Sequence, residues 1–264
     1  MKALVGLALV YVLAVALLFT FQRSVIYPAP QARAPLTLGY EEALLETEDG
    51  LELRAIYREA EPGLPTVLYF HGNGGSVSGA SVSNAVLVEA GIGALLVEYR
   101  GYGGNPGEPS EEGLYRDGEA AMRWLSDKGV RGKDIVVVGN SIGGGVATHI
   151  ASEIAHAGDG PAGLILIAPF TSVPDVAADA LWWAPARWLV CDRFDNRSRV
   201  AELDLPLLVQ HGDADRVIGD HHGKALAAAA SNATFQPFAG SGHALSFERR
   251  SGEARRDWIL ALER

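Results

Sequence analysis

Asp134–Gly145 reads D-I-V-V-V-G-N-S-I-G-G-G, and the fold is read outward from it. Ile135–Val138 is an apolar run without polar alternation, as expected of a strand covered on both faces of its sheet. It enters Gly139-Asn140-Ser141-Ile142-Gly143 and then a helical stretch from Val146 onward. This is a G-x-S-x-G pattern in a strand–turn–helix setting. Glycines two before and two after Ser141 remove side chains where strand and helix nearly collide. The serine can then hold a strained conformation and present its Oγ at the sheet edge. The free N–H groups of the helix start favour negative charge beside it. A purely structural glycine-rich turn is the alternative, and the flanking strand and helix weigh against it.

Residues 66–70, 93–98, 163–168 and 206–210 are similar apolar runs, while 42–47 and 51–57 flank Glu48-Asp49-Gly50, a hairpin signal. Helical stretches lie between them, at about 77–90, 111–128, 141–155 and 220–230, and residues 245–263 close the chain. Strands alternating with helices pair in parallel through right-handed crossovers. The expected class is therefore α/β, a doubly wound, mostly parallel sheet. Residues 171–204 interrupt the alternation and include Leu181-Trp182-Trp183-Ala184-Pro185-Ala186-Arg187-Trp188. Two readings fit: a helix whose tryptophans pack on the sheet, or a short helical cap in which Trp182, Trp183 and Trp188 supply an apolar acyl pocket.

The chain has 264 residues, 48% of them hydrophobic and 20% charged, which suits one sizeable globular domain and excludes a disordered chain. Its net charge of −10 argues against nucleic acid as a partner. Cys191, the one cysteine, can form neither an intramolecular disulfide nor a thiolate metal site alone.

Ala3–Phe21 is a 19-residue run without charge. As a helix it would span roughly 28 Å, close to the thickness of a bilayer core. A cleaved signal peptide and a buried core helix are the alternatives. The run exceeds the usual signal length, and Pro35 would occupy the scissile bond of the one small-x-small site, Ala32-Arg33-Ala34. The expected organisation is a transmembrane anchor over residues 1–22, a proline-rich spacer over 23–40, and a globular domain over 41–264 with a cap insertion near 171–204. Lys2 before the span and Arg23 and Arg33 after it leave the charge count nearly balanced, so it sets no orientation.

A serine hydroxyl is barely ionised at neutral pH and needs a base to act as a nucleophile. An apolar strand ends in Gln210-His211-Gly212-Asp213-Ala214-Asp215, and Phe235-Gln236-Pro237-Phe238 leads to Gly242-His243. Ser141, Asp215 and His243 thus follow strand ends in the chain order Ser…Asp…His. His243 is the expected base, since its loop directly follows a strand. His149 and His156 lie within a helix, and His221 and His222 are surface positions at a helix start. Asp215 is preferred to Asp213, which sits too near its strand end to curl back. The oxyanion needs two N–H donors. Ile142 supplies one and the glycine-rich loop after residues 66–70 the other, from Asn73 rather than Gly72 or Gly74, with His71 tying that loop down.

Together these residues resemble the α/β-hydrolase superfamily, and further stretches look like its Bem46 branch, with its ABHD13- and ABHD17-type serine hydrolases. The stretches are F-Q-R-S-V-I-Y-P (Phe21–Pro28), Y-F-H-G-N-G-G (Tyr69–Gly75), E-Y-R-G-Y-G-G-N-P-G-E-P-S-E-E-G-L (Glu98–Leu114), A-P-F-T-S (Ala168–Ser172) and D-R-F-D (Asp192–Asp195). The resemblance implies an α/β-hydrolase fold, one N-terminal membrane anchor, and ester or thioester substrates, small-molecule or lipid. It carries the family roles onto Ser141, Asp215, His243 and the Asn73 and Ile142 amides. Asn105 stands where the branch often has Ser, and Ile218-Gly219 where Val-Pro is usual. No cofactor and no catalytic metal are expected. A prolyl-oligopeptidase-like peptidase shares the triad order, but the chain is too short for a gating domain. A non-catalytic binding module need not keep Ser, Asp and His together.

Overall fold

The computed structural model describes residues 1–156, 158 and 160–263. Helix α1 (Lys2–Ile26) has no buried residue and is long and apolar enough to cross a membrane, with mean hydropathy 2.7. It runs four residues past the expected anchor boundary at 22, because nothing in Arg23–Ile26 breaks a helix. Pro28 ends it by disfavouring helical geometry at Tyr27. The expected spacer is correspondingly shorter and is not a free linker. Tyr27 is buried, the Gly103 amide donates to the Pro30 carbonyl (2.8 Å), and Gln31 Nε2 donates to the Gly101 carbonyl (2.6 Å).

The globular domain follows as β1 (Glu41–Glu46), β2 (Glu52–Arg58), β3 (Thr66–Phe70), α2 (Val77–Ser83), α3 (Ala85–Glu89), β4 (Gly93–Val97), α4 (Glu111–Asp127), β5 (Ile135–Asn140) and α5 (Gly143–His156). It continues with β6 (Gly163–Ile167), α6 (Val173–Ala180), α7 (Ala186–Leu189), α8 (Asn196–Glu202), β7 (Leu207–Gly212), α9 (Asp220–Ala229), β8 (Ala233–Phe238) and α10 (Arg249–Leu260). The strands form one sheet in the order β1-β2-β4-β3-β5-β6-β7-β8; β2 is antiparallel to both neighbours and β4 through β8 run parallel. Alternating side chains split the core in two. Leu68, Phe70 and Val137 meet Val146 and Ile150 of α5 on one face, while Val67, Tyr69 and Val138 meet Val77, Leu87 and Ile259 on the other.

Three expected helices are interrupted. The 77–90 stretch breaks at Asn84, whose side chain donates to the Ala80 carbonyl (2.8 Å). The 141–155 helix starts only at Gly143, because Ser141 has φ +53°. The 245–263 stretch is divided by Glu248, extended between a 3-10 turn (His243–Phe247) and α10. The expected cap is also smaller than its insertion. Helix α8 buries Asn196 and Val200 and packs on α5 and α9, which leaves α6 and α7 as the cap.

Register aligns the strand ends that matter: Phe70 lies opposite Gly139, Asn140 opposite Ile167, and Ile167 opposite Gln210. Here β5 must turn into α5 directly over β3. A Cβ on Gly143 would run into the Phe70 carbonyl, and one on Gly139 into the Gly143 carbonyl and Gly144 backbone. Gly139→Ala should therefore cost about 1–3 kcal/mol by overpacking, read as a thermal midpoint lowered by several degrees relative to the parent.

Candidate active site

Ser141 sits at the crossing with its backbone in the left-handed region, which L-residues occupy only when the surroundings enforce it. Its amide donates to the Ile167 carbonyl (2.9 Å). Its Oγ lies 3.0 Å from His243 Nε2, and His243 Nδ1 lies 2.8 Å from Asp215 Oδ2. Three sequence-distant residues therefore form one hydrogen-bonded chain. Asp213 takes no part in it and instead accepts the Gly240 amide (2.7 Å).

The Asp215 side chain is fully buried. Its Oδ1 accepts the Val217 (2.8 Å) and Ile218 (3.0 Å) amides. Burial pushes the carboxyl up, but hydrogen bonds from His211, His243 and the Ile218 amide outweigh it and hold Asp215 well below the usual carboxylate range. His211 Nε2 is 3.5 Å from Asp215 Oδ2 and closer to the Ile218 carbonyl, at 3.0 Å, so it braces the acid loop from beneath.

The His243 turn is anchored through buried Arg255, which donates to the Ser246 (3.2 Å) and Ser83 (2.8 Å) carbonyls and to Ser251 Oγ (2.7 Å). Burial lowers this guanidinium to about 10.

Opposite the histidine, His71–Gly75 leaves β3 as a tight loop. A Cβ on Gly72 would sit 2.9 Å from Asn140 Nδ2 and 3.4 Å from Ser141 Cβ, so a larger residue here would have to displace the Asn140 side chain beside the serine. His71 holds it: Nδ1 lies 2.8 Å from the Gly72 carbonyl and Nε2 3.0 Å from Glu98 Oε1. Glu98 Oε2 accepts the Val77 amide (3.1 Å), and Tyr99 donates to the His71 carbonyl (2.9 Å). Among the described residues, neither the Asn73 nor the Ile142 amide donates to a protein acceptor. Both residues line the same cavity as Ser141 and His243.

That cavity measures about 370 Å3, and Phe170, Val173, Val176 and Val217 give it apolar walls. Ile26, from the last turn of α1, and Pro28 complete it. Trp182, Trp183 and Trp188 do not line it, which overturns both the acyl-pocket and the sheet-packing expectations. Trp182 and Trp188 are 85% and 83% exposed, and Trp183 meets Tyr11 of α1 edge to face. The α6–α7 corner turns them outward, beside α1. There Gln22 accepts the Cys191 amide (2.8 Å) and Arg23 forms a two-pronged ion pair with Asp192 (3.1 and 3.2 Å).

Of the other histidines, His149 stacks on Tyr115 and pairs with Glu119, and the side chain of His156 lies outside the described residues. His222 is buried rather than on the surface, packed beneath α6. Pocket and positioning residues that the sequence reading does not single out include Glu98, His211, Ile26 and Pro28. For the first two a signal exists, a polar residue at the C-terminal end of a mostly apolar strand.

Residues 67–197 match the family Abhydrolase_3, described as alpha/beta hydrolase fold. An uncharacterized protein of Mycobacterium tuberculosis, Rv2307c, is 37% identical over 218 residues, 80% of this chain and 75% of that one. The lysophosphatidylserine lipase ABHD12 of Danio rerio is 30% identical over 177 residues, 61% of this chain and 46% of that one. The crystal structure of an alpha-beta hydrolase from Vibrio vulnificus superposes with a TM-score of 0.77 at 26% identity, covering 92% of each chain. The chain belongs to the α/β-hydrolase superfamily, in its Bem46/ABHD branch.

Two measurements test the site's electrostatics. Asp215 has its folded pKa depressed, so the unfolded chain takes up the proton first as pH falls past the ordinary value of 3.8. Its contribution is complete above about pH 5 and lost below. Thermal midpoints from pH 6 to 3 should fall less steeply in Asp215→Asn than in the parent. Glu98→Gln removes the charge under the oxyanion loop. Turnover of a short ester should drop at least about tenfold, a loss of transition-state rather than ground-state binding. KM should change little, and an unchanged kcat would contradict the positioning role.

Proposed function

We propose that this chain is a membrane-anchored serine hydrolase that cleaves carboxylic esters or thioesters of apolar acyl chains through an acyl-enzyme. The observation that carries this reading is the hydrogen-bonded chain from Ser141 to Asp215, facing an apolar cavity beside two unengaged amides. Ser141 Oγ attacks the carbonyl carbon while His243 Nε2 takes its proton. The tetrahedral oxyanion is held by the Asn73 and Ile142 amides. His243 returns the proton to the leaving alcohol or thiol, and the acyl group stays on Ser141. Water then attacks the acyl-enzyme with His243 again as base, and the acid leaves as Ser141 regains its proton. Asp215 keeps the Nδ1–H tautomer of His243 and stabilises the imidazolium.

Lipid esters are the favoured substrates within this class, for three reasons. The cavity is mostly apolar, and His243 is its one lining residue with an ionisable side chain among the described residues. Its wall includes the end of α1, so a chain arriving along the anchor helix reaches Ser141 without crossing bulk water. Exposed Trp182 and Trp188 beside that helix suit the headgroup boundary, where indole rings concentrate. The lipase name of the ABHD12 relative agrees in chemistry.

Detergent-solubilised protein should gain one adduct from an alkyl fluorophosphonate, mapping to Ser141 and missing in Ser141→Ala. An adduct that persists in that variant would remove the proposed nucleophile. Substrate reach is tested separately with Ile26→Trp, which fills the anchor-side wall. The kcat/KM for decanoyl esters should fall about tenfold or more relative to acetyl esters. Equal losses for both chain lengths would place the acyl chain elsewhere.

A further inference from the structure

Two walls of the cavity belong to different parts of the fold. Helix α6 contributes Val173 and Val176, and the acid loop contributes Val217 and Ile218 before running into α9. One turn beyond Val176, Asp179 reaches across to the start of α9. There its Oδ2 lies 3.0 Å from His221 Nε2 and 3.2 Å from His222 Nε2. Two imidazoles thus converge on a single carboxylate oxygen. Ligands around a tetrahedral zinc ion, with bonds of about 2.0 Å, stand roughly 3.3 Å apart. Asp179 Oδ2 is already at that spacing from each nitrogen, and all three atoms lie within 4.8 Å of one another.

We propose that Asp179, His221 and His222 form a binding site for a divalent transition ion of the zinc type, which clasps the cap helix α6 to α9. Two nitrogens and one carboxylate oxygen are a donor set that zinc accepts, and Asp179 and His221 are more than half exposed, leaving room for water as fourth ligand. His222 is the fixed member. It is buried, and its Nδ1 lies 2.8 Å from Thr171 Oγ1, which in turn donates to Asp175 Oδ2 (2.7 Å). With its own proton committed to Asp175, the Thr171 oxygen can accept Nδ1–H and leave the Nε2 lone pair for the metal, the support that ligating histidines commonly have. The Thr171 amide, 3.3 Å from the same Nδ1, suits the other tautomer. The metal-free site therefore holds its proton between Nε2 and Asp179, and binding shifts that proton to Nδ1.

The site is structural rather than catalytic, and it stands independently of the proposed ester chemistry. Its test needs no turnover. The full chain in detergent, stripped with a chelator, is titrated with Zn2+ at pH 7.5 by calorimetry, and Co2+ is followed by its visible ligand-field absorption. One ion per chain should bind, raise the thermal midpoint, and give the intense bands of a four-coordinate cobalt site. His221→Ala and Asp179→Asn, both at exposed positions, should keep the metal-free midpoint and lose all three signals. Thr171→Val should weaken binding by about 10- to 100-fold. His149→Ala, on the far helix, should bind as the parent does. Absence of saturable binding to folded parent protein, or binding unchanged in His221→Ala and Asp179→Asn, overturns the proposal.

Discussion

The Phe70 carbonyl and the Gly143 backbone press against each other where β5 turns into α5, and that contact sets the position of everything around Ser141. Strands β3 and β5 are neighbours in register, so the helix leaving β5 has no path except across the end of β3. The crossing closes only if residues 139 and 143 carry no side chain. It also forces Ser141 into φ +53°, a conformation costing on the order of 1–3 kcal/mol for a non-glycine residue. The bond from its amide to the Ile167 carbonyl and the burial of Val146 and Ile150 on the sheet offset that cost. In return, the hydroxyl and the Ile142 amide are aimed into one cavity by backbone geometry alone, without dependence on a flexible side chain.

The loops facing Ser141 are held by a shared device. Each follows a parallel strand, and each is braced from below by a buried histidine beside a carboxylate. His71 meets Glu98 under the oxyanion loop, and His211 meets Asp215 and the Ile218 carbonyl under the acid loop. Imidazole suits this task because it is rigid and offers two polar atoms; His71 uses both, while His211 uses Nε2 and leaves Nδ1 without a partner. Arg255 plays the corresponding part for the His243 turn, with carbonyls and hydroxyls as acceptors. Polar networks of this kind are costly if half satisfied, so they select one arrangement of the loops among many.

The central strands and the hydrogen-bonded chain of Ser141, His243 and Asp215 are legible in the sequence because both depend on local features: unbroken apolar runs, and polar residues just past their ends. Asp215 could be separated from Asp213 by reach alone. Glu98 was harder to read, since its role exists only once β4 is placed beside β3 and His71. The tryptophans of residues 181–188 misled because large aromatic residues are usually buried, and nothing local says that the α6–α7 corner points them away from the sheet. The end of α1 is marked by Pro28 and not by the loss of apolar content at Gln22-Arg23, since those polar residues do not break a helix. His222 reads as a surface residue from its place at a helix start, but it is buried, with its ring between Thr171 and Asp179.

Ile26 belongs at once to the long apolar helix and to the wall of the cavity, and Arg23 fastens that helix to Asp192. The apolar helix and the cavity are therefore not separable modules. Cutting the chain back to Glu41 to obtain a more tractable protein would remove a wall of the pocket along with the helix, and would leave Asp192 without its cation. Any substrate profile measured on such a fragment would describe a different cavity. The same coupling limits divergence: any change in the last turn of this helix is also a change in the wall beside Ser141.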